Sequence, residues 1–414
     1  MKIAVISQFF PPEMGAPASR FFDFSRYWLA AGHDMTLFTA FPNFPTGVIP
    51  KPYRRKLFMK ETHAGITIHR SYIWARPRLS PIDKILGFAT FGISASFAAF
   101  LRARRFDIVI STSPPPSTSI PGILAARRAG KPFILDVRDL WPESAVQNRR
   151  IKSHLLINIS EKLEAWMYKS AKLITVVTQG KKERLIERGI PGEKIHVISN
   201  GVDMSLFDEE ANKPLPEKLE QLISANDFLF TYAGVFNPPQ GLDIILNSAG
   251  RLRMIRPDLY ARSAFLMIGD GSRRNHLEER VKKEGLDRVH FVGVQPRSIV
   301  FGIIHRSFAN LVTLKKRGDT HTVPSKIYEA LASGRPTLIS ATGESVEIIE
   351  KAHGGLASPP EDVVALVANM VQYMEQPEMA MEDGRRGRLY CEQNYDRKKI
   401  AGEYESILLQ FNGH

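Results

Sequence analysis

The sequence predicts an α/β chain folded as two Rossmann-like domains with a cleft between them. Short apolar runs of strand character alternate with stretches of helical spacing, the pattern of parallel sheets covered by helices. That pattern starts afresh after Asn200-Gly201-Val202-Asp203, where a polar, acidic segment from Asp208 to Asn226 leads into a new buried run. The length of 414 residues agrees, since domains run to about 150 residues each.

The elements follow in order. Ile3 to Ser7 is the first buried strand; the run is too short for a signal peptide and soon meets Pro11-Pro12. A helix from Ala18 to Ala31 ends at Gly32 and precedes a strand from Met35 to Thr39. Residues 85–101 carry no charge between Lys84 and Arg102. They number 17, short of the about 20 that a membrane span needs, so a buried or interfacial helix is expected. Strands at Asp107–Ser111, Phe133–Val137 and Leu173–Val177 enclose a helix ending at Ala129 and another from Ser153 to Lys169. The second half offers strands at Phe228–Ala233, Ala264–Ile268, Val289–Val292, Ala309–Leu314 and Thr337–Ser340. The expected division is 1–200, 201–384 and a closing helix in 385–414 that crosses back to the first domain.

Composition narrows the function. Cys391 is the single cysteine, so no intrachain disulfide forms and a cytoplasmic setting is favoured. The net charge of +13 is lopsided. Residues 1–200 hold 30 Lys and Arg against 14 Asp and Glu, while residues 201–414 hold 26 against 29. The excess gathers at 51–56, 102–105 and Arg127-Arg128, which points to an anionic partner: a membrane surface, a lipid pyrophosphate or nucleic acid.

In open α/β sheets ligands bind beyond the carboxyl ends of the strands, so those loops hold the candidates. Pro11-Pro12-Glu13-Met14-Gly15-Ala16-Pro17-Ala18-Ser19-Arg20 lacks the Gly-x-Gly-x-x-Gly fingerprint, yet Gly15 lets a ligand approach the backbone. Asp136-Val137-Arg138-Asp139-Leu140-Trp141-Pro142-Glu143 sets four charges just beyond a strand, with Asp136 and Arg138 expected to pair. In the second half the loops are Gly234 to Gln240, then Gly269-Asp270-Gly271-Ser272-Arg273, then Phe291-Val292-Gly293-Val294. Their glycines and arginines suit phosphate.

The most informative stretch is Pro324-Ser325-Lys326-Ile327-Tyr328-Glu329-Ala330-Leu331-Ala332-Ser333-Gly334-Arg335-Pro336. Ile327, Ala330 and Leu331 recur at helical spacing, with Pro324 at the start and Gly334 past the last turn. Lys326 and Glu329 share one face. A capping box would want Glu or Gln three after Ser325, where Tyr328 stands. A helix start with a neighbouring lysine suits a diphosphate, and a carboxylate one turn deeper suits a sugar diol.

Together these residues resemble glycosyltransferase family 4, retaining enzymes of the GT-B fold that use nucleotide-diphosphate sugars. The likeness covers nearly the whole chain. It is nearest to bacterial surface-polysaccharide transferases, including those for fucosamine-type sugars, through Asp136 to Glu143 and Pro324-Ser325-Lys326. The reaction expected is transfer from a UDP-sugar donor to a saccharide acceptor, and the positive first half fits an acceptor linked to polyprenyl pyrophosphate. It implies that Glu329 binds the ribose, Ser325 and Lys326 the diphosphate, Val294 the base, and that Gly15 lies under the diphosphate. Arg138 and Asp139 would orient donor sugar or acceptor, with Arg20, Asp136 and Glu143 on the acceptor side. Three departures stand out. Many members carry two glutamates with seven residues between them; Glu329 matches the second, and His321 replaces the first. Arg138 stands where many have His before Asp. Val235 and Gln240 replace a usual Arg and Lys, so the diphosphate charge falls to Lys326, Arg273 or another base.

No Asp-x-Asp triplet occurs, so no metal is expected. The basic first half fits a peripheral site on an anionic membrane. Two other readings make different predictions. A nucleotide-sugar epimerase of the same architecture would form product without acceptor. A nucleic-acid binder would use Tyr53, Phe58, Tyr72 and Trp74 among the basic residues, and leaves Pro324–Pro336 without a role.

Overall fold

Strands buried on both faces read as continuous apolar runs, and that is how the centre of each sheet is built. The computed structural model describes residues 1–13, 15–44, 46–77, 80–143, 154–316 and 321–411; Met14 and the expected helix start at Ser153 fall outside them. Two units result, Met1–Ser199 with Arg397–His414, and Asn200–Asp396.

The first unit holds strands β1 (Lys2–Ile6), β2 (Asp34–Ala40), β3 (Phe58–His63), β4 (Ile66–Ser71), β5 (Ile108–Ser113), β6 (Phe133–Val137), β7 (Leu173–Val176) and β8 (Ile195–Val197). They lie in the order β3-β4-β2-β1-β5-β6-β7-β8. Only the β3–β4 pair is antiparallel. Ile3 and Val5 of β1 face a cluster with Trp28, Ile108 and Tyr404, while Ala4 and Ile6 face one with Phe91, Ala95 and Leu135.

The second unit holds β9 (Phe228–Ala233), β10 (Ser263–Ile268), β11 (Val289–Val292), β12 (Ala309–Thr313), β13 (Thr337–Ser340) and β14 (Gly355–Ser358). All are parallel, in the order β11-β10-β9-β12-β13-β14. Phe230 and Tyr232 pack with the helix Asp243–Ile255; Leu229 turns the other way, toward Leu266 and Ile303. β9 is flanked by β10 and β12, so the loops leaving these three strands meet at one rim.

The chain's end divides differently from the expected single helix starting near residue 385. Pro377–Asn394 is a helix of the second unit, where Arg388 donates to the Ala332 carbonyl at 2.9 Å and to Asp208 at 2.8 Å. After a break at Tyr395 and Asp396, the helix Arg397–Leu409 belongs to the first unit. There Trp28 donates its indole N–H to the Ala401 carbonyl at 3.0 Å, Tyr404 packs edge-on to Phe24 and Trp28, and Arg397 pairs with Asp23. The polar bonds of Arg388 hold residues 385–394 to the second unit.

Candidate active site

The rim loops of the second unit are tied together by their backbones. Gly234 N–H donates to Ile268, Phe236 N–H to Asp270, and Arg273 N–H to Phe236. This leaves no room for side chains where the two loops touch. A Cβ on Gly269 would sit 1.9 Å from the Gly234 carbonyl oxygen, at a φ of +132° that favours glycine. On the other side, Thr313 at the end of β12 donates its hydroxyl to the Gln240 carbonyl at 2.6 Å.

Lys326 comes to this junction. Its helix, Lys326–Ala332, is short and starts without a side-chain cap from Ser325; Pro324 and Ser325 carbonyls accept from Ile327 and Tyr328 at 3.1 Å. The Lys326 ammonium donates to the Tyr232 hydroxyl and the Gln240 amide oxygen, both at 2.6 Å. It lies 3.9 Å from the centre of the Tyr232 ring, a cation–π arrangement. Tyr232 donates its own hydroxyl hydrogen bond to the Val235 carbonyl at 3.1 Å. A Cβ on Gly234 would approach the ammonium to 3.0 Å. Among the described residues no carboxylate lies within ion-pairing distance of this nitrogen. Burial among neutral groups pushes it down to about 7, and Glu329 one turn away pulls in the opposite direction.

Gly234, Gln240 and Lys326, read from separate stretches, are thus brought together. Gln240 stands where the resemblance expects a lysine, and its amide oxygen instead receives one from the helix. Tyr232 was missed; its strand reads as a buried run, and nothing local marks the hydroxyl as a partner for a residue 94 positions on. Arg273 is committed elsewhere. It bonds Asp243 at 2.9 Å, and Arg280 bonds the same carboxylate at 2.9 Å. Burial works to raise Asp243, but the hydrogen bonds from Arg280 and Arg273 win and hold it below the usual carboxylate range. Gly271 and Val294 lie at the same rim, Val294 exposed. His321 borders residues 317–320, which lie outside the described residues.

The first unit corrects one expectation. Asp136 does not pair with Arg138. It lies in β6 opposite Thr112 of β5 and Thr175 of β7, and both hydroxyls donate to it, at 3.2 and 2.9 Å. Arg20, from the helix Ala16–Ala30, completes the group at 2.9 Å and also donates to the Ile198 and Ser199 carbonyls. Both side chains are buried, so the pair braces the helix against three strands and faces no solvent. Arg138 turns instead to the Pro114 carbonyl, at 2.6 Å, and burial lowers its pKa from the ordinary arginine value. Asp139 is open to solvent beside Lys181, 3.3 Å away, and Glu143 pairs with Arg184 at 3.2 Å. Gly15 caps the Ala16–Ala30 helix at a φ of +107°. Glu13, unremarked in the sequence, is buried and accepts N–H bonds from Phe10, Asn43 and Phe44, holding the first two strand-end loops together. Burial raises its carboxyl above the ordinary range, those N–H bonds opposing.

Comparison with known proteins agrees with this layout. Residues 15–201 match the family described as a glycosyl transferase 4-like domain, and residues 227–376 match glycosyl transferases group 1. WcaI of Escherichia coli (strain K12), a glycosyl transferase assigned to colanic acid biosynthesis, is 24% identical over 91% of this chain and 92% of its own. An E. coli UDP-Gal:alpha-D-GlcNAc-diphosphoundecaprenol alpha-1,3-galactosyltransferase is 24% identical over 67% of this chain and 68% of its own. Sucrose-phosphate synthase from Thermosynechococcus elongatus superposes with a TM-score of 0.74 at 17% identity, covering 99% of this chain and 98% of that one. Anabaena HepE, solved with UDP, gives 0.71 at 16% identity over 99% of this chain and all of its own. With both halves matched, with relatives in polysaccharide biosynthesis and with the fold shared, the chain is a glycosyltransferase of the GT-B fold, made of a glycosyl transferase 4-like domain followed by a glycosyl transferases group 1 domain.

Proposed function

We propose that the chain transfers a hexosyl or aminodeoxyhexosyl group, the fucosamine type included, from a UDP-sugar to a hydroxyl of a polyprenyl-pyrophosphate-linked saccharide. The reaction would serve bacterial surface polysaccharide assembly on the cytoplasmic side. The observation that carries this reading is the Lys326 ammonium, held by Tyr232 and Gln240 against Gly234 with no carboxylate within ion-pairing distance among the described residues. A cation kept among neutral groups beside glycine backbone is matched to an anion approaching from outside, and a donor diphosphate is such an anion. The UDP bound by HepE, and the donor and acceptor in the galactosyltransferase's name, support UDP and a lipid diphosphate.

In this reading Lys326 and nearby N–H groups around Ser325 balance the charge of the leaving UDP, and no metal is needed. Glu329 accepts from the ribose hydroxyls, and backbone at Val294 meets the base. The bond from the anomeric carbon to the diphosphate oxygen breaks as the acceptor oxygen attacks from the same face. The acceptor proton passes to a donor phosphate oxygen, and the new glycosidic bond keeps the anomeric configuration. Asp139, open to solvent, is the first-unit residue suited to meet a sugar hydroxyl.

A thermal-shift panel of UDP, GDP and ADP, with and without EDTA, tests the donor. Stabilisation by UDP alone, unaffected by EDTA, is expected. Stabilisation by GDP or ADP in place of UDP would overturn the base, and loss of binding in EDTA would overturn the metal-free arrangement. Transfer to a synthetic polyprenyl-pyrophosphate saccharide then tests the acceptor, with NMR reading the anomeric configuration.

A further inference from the structure

The helix Pro81–Arg102 has two apolar faces, and the protein uses one of them. Phe91, Ala95, Ala98 and Ala99 sit in the core of the first unit. Small residues seat the helix closely: a Cβ on Gly87 would lie 3.0 Å from the Trp74 carbonyl. Ile82, Leu86, Ile93, Phe97 and Leu101 follow one another on the outer face at helical spacing. They are exposed, Ile93 by 73% and Phe97 by 60%. A surface helix covering a core has polar residues outside; here no charge interrupts residues 85–101.

Neighbouring elements extend the patch. Phe58 of β3 packs its ring against Phe97 at 5.8 Å, and Leu57 beside it is exposed. Leu124, on the adjoining helix Ser119–Ala129, is exposed as well. Basic residues border it. Arg128 lies 4.1 Å over the Phe100 ring. Lys56 and Lys60 flank Phe58 in sequence, and Arg104 and Arg105 follow the helix directly; all four are exposed, as is Arg127. No Asp or Glu occurs in residues 51–60, 84–106 or 108–135.

We propose that this face docks the first unit on an anionic lipid bilayer, with the helix lying in the plane of the interface and Ile93 and Phe97 entering the acyl boundary. An apolar stripe edged by Lys and Arg is the arrangement that binds anionic bilayer surfaces. A second copy of the chain would bring like charge against like charge. At about 33 Å the helix is long enough to cross a bilayer, but crossing would strip Phe91 and the alanines from the core. The inference goes beyond the transferase reading and stands without it.

Flotation of the purified full chain tests it, with vesicles of phosphatidylcholine alone or mixed with phosphatidylglycerol, across a salt series. Binding is expected on the mixed vesicles, weakening with salt and released by alkaline carbonate. Ile93→Ser with Phe97→Ser should lower partitioning at least about tenfold with an unchanged melting temperature, since both side chains are exposed. Arg104→Glu with Arg127→Glu should abolish the preference for phosphatidylglycerol. Undiminished binding of the Ser variant would overturn the assignment, as would retention after carbonate, the mark of a span. So would a dimer in sedimentation that the Ser variant abolishes while the parent ignores vesicles. Transfer to a water-soluble acceptor, measured separately, keeps failure here distinct from failure of the transferase reading.

Discussion

Lys326→Met is the sharpest perturbation of the donor site. The ammonium is held by two bonds of 2.6 Å to neutral oxygens, and burial brings it to about 7. Near that pH about half of the free enzyme carries the charge. A nucleotide sugar's diphosphate is esterified at both ends and stays dianionic through this range, so the pH dependence falls on the protein. Where only the charged form binds, apparent Kd scales inversely with the charged fraction. That fraction is about nine-tenths at about pH 6 and about one-tenth at about pH 8, so donor affinity falls about tenfold between them. Removing the ammonium deletes charge-assisted bonds of roughly 1.5–3 kcal/mol, or about 10- to 150-fold in kcat/KM. Initial rates and donor titrations across that range, for parent and variant, are the assay. The parent should show the slope and the variant a flat, low profile. A flat parent profile, or a variant within about twofold of the parent, would refute the reasoning.

The same lysine gives a stability signature. An unfolded lysine keeps its proton up to about 10.4, whereas Lys326 loses it near 7, so between these values the unfolded state binds more protons and stability rises with pH. Denaturant titrations should show that rise, at most about 5 kcal/mol, to be smaller in Lys326→Met. Asp136→Ala leaves the buried Arg20 guanidinium without its carboxylate and should cost about 3–5 kcal/mol, read by calorimetry. An unchanged melting temperature with lost transfer would instead return Asp136 to the acceptor. Gly269→Ala drives a Cβ into the Gly234 carbonyl, and about 2 kcal/mol or more of stability should be lost together with nucleotide protection. Glu329→Ala should lower kcat/KM about 10- to 100-fold for a ribonucleotide donor and much less for its 2′-deoxy analogue; equal losses would remove the ribose from its role.

The central strands were legible because burial on both faces leaves an uninterrupted apolar run, as at β1, β6 and β9. The hairpin β3–β4 was not. Phe58 to His63 is a sheet edge with mostly exposed side chains, so its letters, Phe-Met-Lys-Glu-Thr-His, show a basic surface and no strand pattern. β14 is four residues long and opens on glycine, too short to stand out. At the site, glycines and Lys326 could be named because backbone approach and charge are properties of single residues. Their meeting could not, because it depends on β9 and β12 being neighbours in the sheet. Asp136 misled for the same reason. The partner expected for it, Arg138, is two residues away, whereas its actual partners come from β5, β7 and the Ala16–Ala30 helix.

The helix Arg397–Leu409 has a consequence for biosynthesis. It supplies Tyr404 and the Ala401 carbonyl to Trp28 and Phe24, yet in chain order it comes after every residue of the second unit. A ribosome delivers it after both the first 199 residues and the whole second unit. The unit begun first therefore waits, with Trp28 and Phe24 uncovered, until the unit begun second has been fully translated. Residues 1–199 thus start a fold that the helix Arg397–Leu409, some two hundred positions further on, completes.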